Sequence, residues 1–235
     1  MAKRKPRVKP SRGQSAATES IRERLRNTLS VAPDTASVTE IARGAASLSS
    51  SKRAQLAADC THALLTEASR DEGLRIVLAK TVVALLPESF SQLDDLLKPD
   101  ARGAAEAQFS LFVFLDESAQ LLGKREERDR VLALVTRYLL NVSHGVARAP
   151  WMAGDLLGDH WPFEESTPVL MHAAMHAHFV AGREGALHGV SHALARVPKR
   201  LQWDLVHTLK RVAKEDRSAR LRRYAQAILG DLRGV

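Results

Sequence analysis

Apolar residues recur every three to four positions along this chain, and the recurrence breaks at Gly, Pro and small polar residues. Over 199–213, Leu201, Leu205, Val206, Leu209, Val212 and Ala213 fall on one stripe; over 183–197, Ala186, Leu187, Val190, Ala193, Leu194 and Val197 do the same. Such spacing places each set on one face of an α-helix. Val-, Ile- and Thr-rich runs with strict alternation, the pattern of strands, are nearly absent. The pattern predicts a short helix near 20–29, then helices near 36–48, 51–67, 70–86, 88–98, 101–122, 125–141, 146–158, 167–180, 183–197, 199–213 and 216–232. Ser50 or Ser51 fits an N-cap, as does Asp100, and Thr167-Pro168 reads as N-cap and first helical residue. Pro87, Gly123, Gly182 and Pro198 separate neighbouring helices.

Helix ends repeat. Leu86, Leu122, Leu157, Leu194 and Leu229 follow one another at spacings of 36, 35, 37 and 35 residues, with Leu48 as a weaker earlier copy. Ala153–Asp159 (AGDLLGD) and Ala225–Asp231 (AQAILGD) match further, 72 residues apart. A unit of 35–37 residues holds two helices and two turns. One such pair cannot bury both its faces, whereas stacked pairs share a continuous core. Arg148–Asp159 and Arg220–Asp231 each run from an Arg through small residues to a Leu-Gly-Asp exit. In these segments the chain resembles the HEAT-repeat family, with armadillo repeats as the related alternative. The resemblance covers about residues 36–232 and is best over 146–232. It implies an all-α α-solenoid over 18–235, with the second helices, 125–141, 167–180 and 199–213, lining a partner-binding surface. The anchors Leu122, Leu157, Leu194 and Leu229 are expected to be buried.

Composition fits short, closely stacked helices: 45% of residues are hydrophobic but only 5% aromatic. Cys60 is the only cysteine, which excludes an intramolecular disulfide and a cysteine-based zinc cluster. Its spacing with Leu56, Ala63 and Leu64 predicts a buried small hydrophobe. No apolar region follows the basic N-terminus, and no run approaches the roughly 18 residues of a membrane span. A cytoplasmic protein is expected, or a nuclear one in a eukaryote. Charge is segregated. The net charge of +8 divides into +7 over residues 1–28, −6 over 29–194 and +7 over 195–235. Residues 1–17, with Lys3, Arg4, Lys5, Arg7, Lys9 and Arg12 and little to bury, read as a disordered basic tail.

Six of the nine histidines lie between His160 and His192. His172 and His176 share a helix face, as do Glu184, His188 and His192 on the next helix, and the two sets are symmetric about Gly182. Imidazoles at this spacing, completed by a carboxylate, are a candidate metal-ligand set. Against it, His188 and His192 fall nearly opposite their helix's apolar stripe, so they are expected in solvent and the two sets are not expected to converge. No metal or other cofactor is therefore assigned. Deoxyhypusine hydroxylases, HEAT-like enzymes, hold iron with His-Glu dipeptides; none occurs here.

The helix 199–213 turns Trp203, His207, Lys210 and Arg211 away from its apolar stripe, and Lys214, Arg217 and Arg220 follow. A positive face with an aromatic suits phosphate contact and stacking. Phosphate-binding glycine loops, the G-x-S-x-G elbow and H-E-x-x-H are all missing. The expected function is a non-catalytic scaffold for a protein partner, using Trp203, His207, Lys210, Arg211, Lys214, Arg217 and Arg220. The alternatives are a nucleic-acid-binding protein using both basic ends and a metalloenzyme built on the histidines. Neither a membrane nor a small-molecule substrate is expected.

Overall fold

The computed structural model describes residues 12–66, 71–98, 104–119, 122–143 and 148–232, with side chains from residue 21 onward. Those residues form α-helices and their connections, without strands. In chain order the helices are α1 (Arg12–Leu29), α2 (Val38–Ala45), α3 (Ser50–Thr66), α4 (Glu72–Ala84), α5 (Phe90–Leu96), α6 (Ala105–Ser118) and α7 (Arg125–Asn141). Then come α8 (Arg148–Asp155), continued by a π-helical segment (Leu156–His160), α9 (Phe163–His176), α10 (Val180–Leu194), α11 (Lys199–Glu215) and α12 (Ala219–Asp231).

Every helix that the hydrophobic spacing predicts is present, and the differences lie at the ends. Ser49, not Ser50 or Ser51, turns its hydroxyl to the first turn of α3, accepting from the Lys52 N–H at 3.3 Å. Asp100 lies outside the described residues. Helix α9 starts at Phe163, so Thr167-Pro168 lies inside it rather than at its start. Pro162 ends the preceding connection, and Glu164 and Glu165 in the first turn complement the exposed amides there. Gly182 lies within α10 instead of between helices: a Cβ on it would sit 1.8 Å from the Leu139 carbonyl oxygen. The helix needs that glycine because α7 and α10 touch backbone to backbone. Helix α1 begins at Arg12, so its first turns overlap the segment read as tail; Lys3, Arg4, Lys5, Arg7 and Lys9 lie outside the described residues.

The packing order is regular. Helix α2 packs on α4, α4 on α6, α6 on α8, α8 on α10 and α10 on α12. A second series runs beside it in two stretches, α3 on α5, then α7 on α9 and α9 on α11. One continuous core runs through both series, from Ile21 to Ile228. Its centre holds Phe112 against Tyr138, ring centroids 4.8 Å apart. Leu122, Leu157 and Leu194 are buried. Leu229 is only partly buried, since α12 has no following helix in its series among the described residues; Ile228 takes the core position there. Cys60 is fully buried in the core, and burial pushes its thiol up to about 12, which keeps it protonated and inert.

Candidate functional site

Helix α11 buries Leu201, Leu205, Thr208, Leu209 and Val212, and those positions fix what the opposite face shows. Arg200, Trp203, His207, Lys210 and Lys214 are all exposed, spaced three or four residues apart, so they form one line along the helix. Trp203 is 76% exposed, the most of any large hydrophobic residue among those described. Arg200, Lys210 and Lys214 have no ion-pair partner among the described residues. The other sequence candidates are differently placed. Arg211 is tied to Glu215 on its own helix at 3.2 Å. Arg220 reaches across to the buried carboxylate of Glu184 on α10. Arg217 is exposed in the turn before α12. The turn is anchored from below: Arg183 Nε donates to Asp216 Oδ2 at 2.8 Å, in a pair almost closed to solvent. In the same series of helices, α7 and α9 leave a shallow groove lined by Leu132, Ala133, Leu140 and Val169, with Asp129, Thr136, Arg137 and Asn141 as its polar members.

A second cluster lies on the other series. Helices α8 and α10 cross on glycines. A Cβ on Gly154 would lie 2.1 Å from the Gly185 carbonyl oxygen, and one on Gly158 would lie 2.4 Å from that of Gly189. Only glycine allows backbones so close. The crossing drives the adjoining side chains together. Asp155 Oδ1 lies 3.0 Å from His188 Nε2 and 3.3 Å from His192 Nε2. On the far side of the rings, His192 Nδ1 is 2.7 Å from Asp159 Oδ2, and His188 Nδ1 is 3.0 Å from the Tyr224 hydroxyl on α12. Arg196 donates to Asp159 Oδ1 at 2.8 Å. Trp151 stacks on His188, centroids 4.7 Å apart. The π-helical segment starts directly after Asp155; such an extra turn is a frequent companion of functional sites.

This arrangement corrects the sequence reading in two ways. His188 and His192 are partly shielded, with side chains 20% and 36% exposed, because α8 covers a face of α10 that the apolar stripe does not reach. Their partner is Asp155, which the sequence reading did not select. His172 and His176 stay on the exposed face of α9, ring against ring at 4.9 Å, and Glu184 is taken by Arg220; none of the three joins the cluster. Two signals point to Asp155 in hindsight. The pairs Gly154/Gly158 and Gly185/Gly189 each recur at four residues, and Asp155–His188 and Asp159–His192 are each separated by 33, close to one repeat. Beneath the cluster, Asp116 Oδ2 is 3.5 Å from His160 Nε2. Burial pushes the Asp116 carboxyl up to about 6; His160 opposes the shift, and Asp155, Asp159 and Glu117 add to it. Trp161 is buried in the core, whereas Trp151 is one-third exposed beside His188.

No helix among the described residues is long and apolar enough to cross a membrane. No family model, curated protein or solved structure matches this chain.

Proposed function

We propose that this chain is a non-catalytic, HEAT-like α-solenoid scaffold that holds a protein partner against the exposed face of α11. The solenoid reading is supported by the packing order, in which alternate helices stack continuously from α2 to α12 and, beside them, α3 on α5 and α7 on α9 on α11, and by the 35–37-residue spacing of the anchor leucines. One observation carries the functional reading: Trp203 stands 76% exposed in a line of cations that have no carboxylate partner among the described residues. Tryptophan and arginine are enriched among the residues that dominate binding at protein interfaces, and here an exposed indole stands beside these cations on one helix face. The groove between α7 and α9 lies on helices of the same packing series as α11.

The chemistry of the face calls for an acidic partner with an apolar spot for the indole. Capture of partners by the full chain from its native cells, with and without nuclease, tests this. The bound protein is expected to survive nuclease and to be lost from Trp203→Ala and Lys210→Glu. Retention by both variants contradicts the proposal. Arg200, Lys210 and Lys214, without ion-pair partners among the described residues, also favour a second reading, a nucleic-acid partner bound by phosphate contacts and stacking on Trp203. Loss of the captured material on nuclease treatment selects that reading instead.

A further inference from the structure

We propose that Asp155, His188 and His192 bind one divalent transition-metal ion, with Tyr224 and Asp159 as positioning residues. The site lies on the α8–α10–α12 series and does not rest on the docking role of α11. Both imidazole Nε2 atoms close on a single oxygen, Asp155 Oδ1, at 3.0 and 3.3 Å, and the three donor atoms all lie within 4.8 Å of one another. Nitrogen and oxygen ligands sit about 2.0–2.2 Å from such an ion, which places neighbouring donors in one shell roughly 3 Å apart. The two separations from Asp155 Oδ1 are those of neighbouring donors in a ligand shell. Asp155 Oδ1 is moreover closed to solvent and has no hydrogen-bond partner, although two ring nitrogens are this near. A buried carboxylate oxygen left in that condition is destabilising. A cation seated among the three donors relieves it.

The outer contacts carry the inference further. A metal-binding imidazole gives its second ring N–H to a carboxylate or other acceptor, which fixes the tautomer and turns the free lone pair to the ion. His192 has Asp159 at 2.7 Å in that role, and His188 has the Tyr224 hydroxyl at 3.0 Å. Arg196 orients Asp159, and Trp151 stacks on the His188 ring. Both rings are thus held with Nε2 inward. Two imidazoles and one carboxylate, without thiolate, select zinc, cobalt, nickel or iron(II) over calcium or magnesium. The ion would tie α8 to α10 and, through Tyr224, to α12. Three protein donors leave at least one position for water.

The test uses the full chain without an affinity tag, stripped with chelator, and titrated with Co²⁺ followed by Zn²⁺. One Co²⁺ per chain is expected, with visible ligand-field bands that Zn²⁺ abolishes and that excess Mg²⁺ does not. Asp155→Asn, which keeps the side-chain shape, and His188→Ala should each remove the bands. Tyr224→Phe should weaken binding about 10- to 100-fold. The double variant His172→Ala/His176→Ala should leave the spectrum unchanged. Circular dichroism identifies any variant that has lost its fold, and wild-type binding is independent of the variants. The proposal is overturned by failure of the wild type to bind Co²⁺ at micromolar concentration, by binding that survives both Asp155→Asn and His188→Ala, or by bands that vanish with the α9 pair.

Discussion

Asp216 and Arg183 are the residues on which the C-terminal turn hangs. Their side chains are 6% and 12% exposed, and Arg183 also donates to the Ala177 carbonyl at 2.9 Å. Removing the carboxylate leaves a guanidinium shielded from water with one partner gone. Asp216→Ala is therefore expected to cost about 3–5 kcal/mol in urea unfolding. Asp116 makes a different demand. Its carboxyl is raised to about 6 in the folded chain, against an ordinary value of 3.8, so folding favours the protonated form. The stability this confers is complete below the ordinary value and is lost as pH rises through about 6. Between about pH 4 and 7 the wild type should lose stability relative to Asp116→Asn, which cannot ionise. Parallel urea midpoints for the two proteins across that range would contradict the assignment. Asp116 was not legible as a titrating group from sequence, because burial beneath α8 raises it and burial is a property of the packed helices.

At the scale of elements, the crossing of α8 and α10 depends on glycine at four positions. Gly154→Ala would set a methyl 2.1 Å from backbone that has no rotamer to change, so the helices must part. A loss of about 1–3 kcal/mol or more is expected from thermal or urea unfolding. The same parting should loosen Asp155 from His188 and His192. Leu157→Ala, at a fully buried anchor, should cost about 2–5 kcal/mol, while Leu229→Ala, at a partly buried one, should cost clearly less. Equal losses would mean that α12 is packed as deeply as α8. The helices themselves were legible because apolar spacing reports a buried stripe directly, as in α11. Helix ends were less so. Thr167-Pro168 has the residue types of a helix start, yet the acidic first turn after Pro162 begins α9 earlier. The histidine pairs were legible as pairs, but the turn between α9 and α10 falls at Ala177–Phe179 rather than Gly182, which removes the symmetry that joined them. What the stripe on α10 could not show is that a second helix, α8, covers a polar flank of it.

For the whole molecule, the two clusters of chemistry lie on different helix series. One series of helices carries the histidine–aspartate cluster; the other carries the exposed line from Arg200 to Lys214. The segregation of +7 onto the last 41 residues, around a middle of −6, concentrates cations where the exposed tryptophan stands. Contacts made by these side chains should weaken as salt rises, because exposed charges are screened beyond about 8–10 Å at ordinary ionic strength. On the proposed function, the α11 face is where a partner docks. This is tested most directly by placing a photo-crosslinking amino acid at position 207 on that face, and at position 43, an exposed position on α2, and irradiating living cells that express each full chain. A discrete protein adduct is expected from position 207 and none of the same size from position 43. No adduct at 207, or the same adduct from both positions, would contradict it.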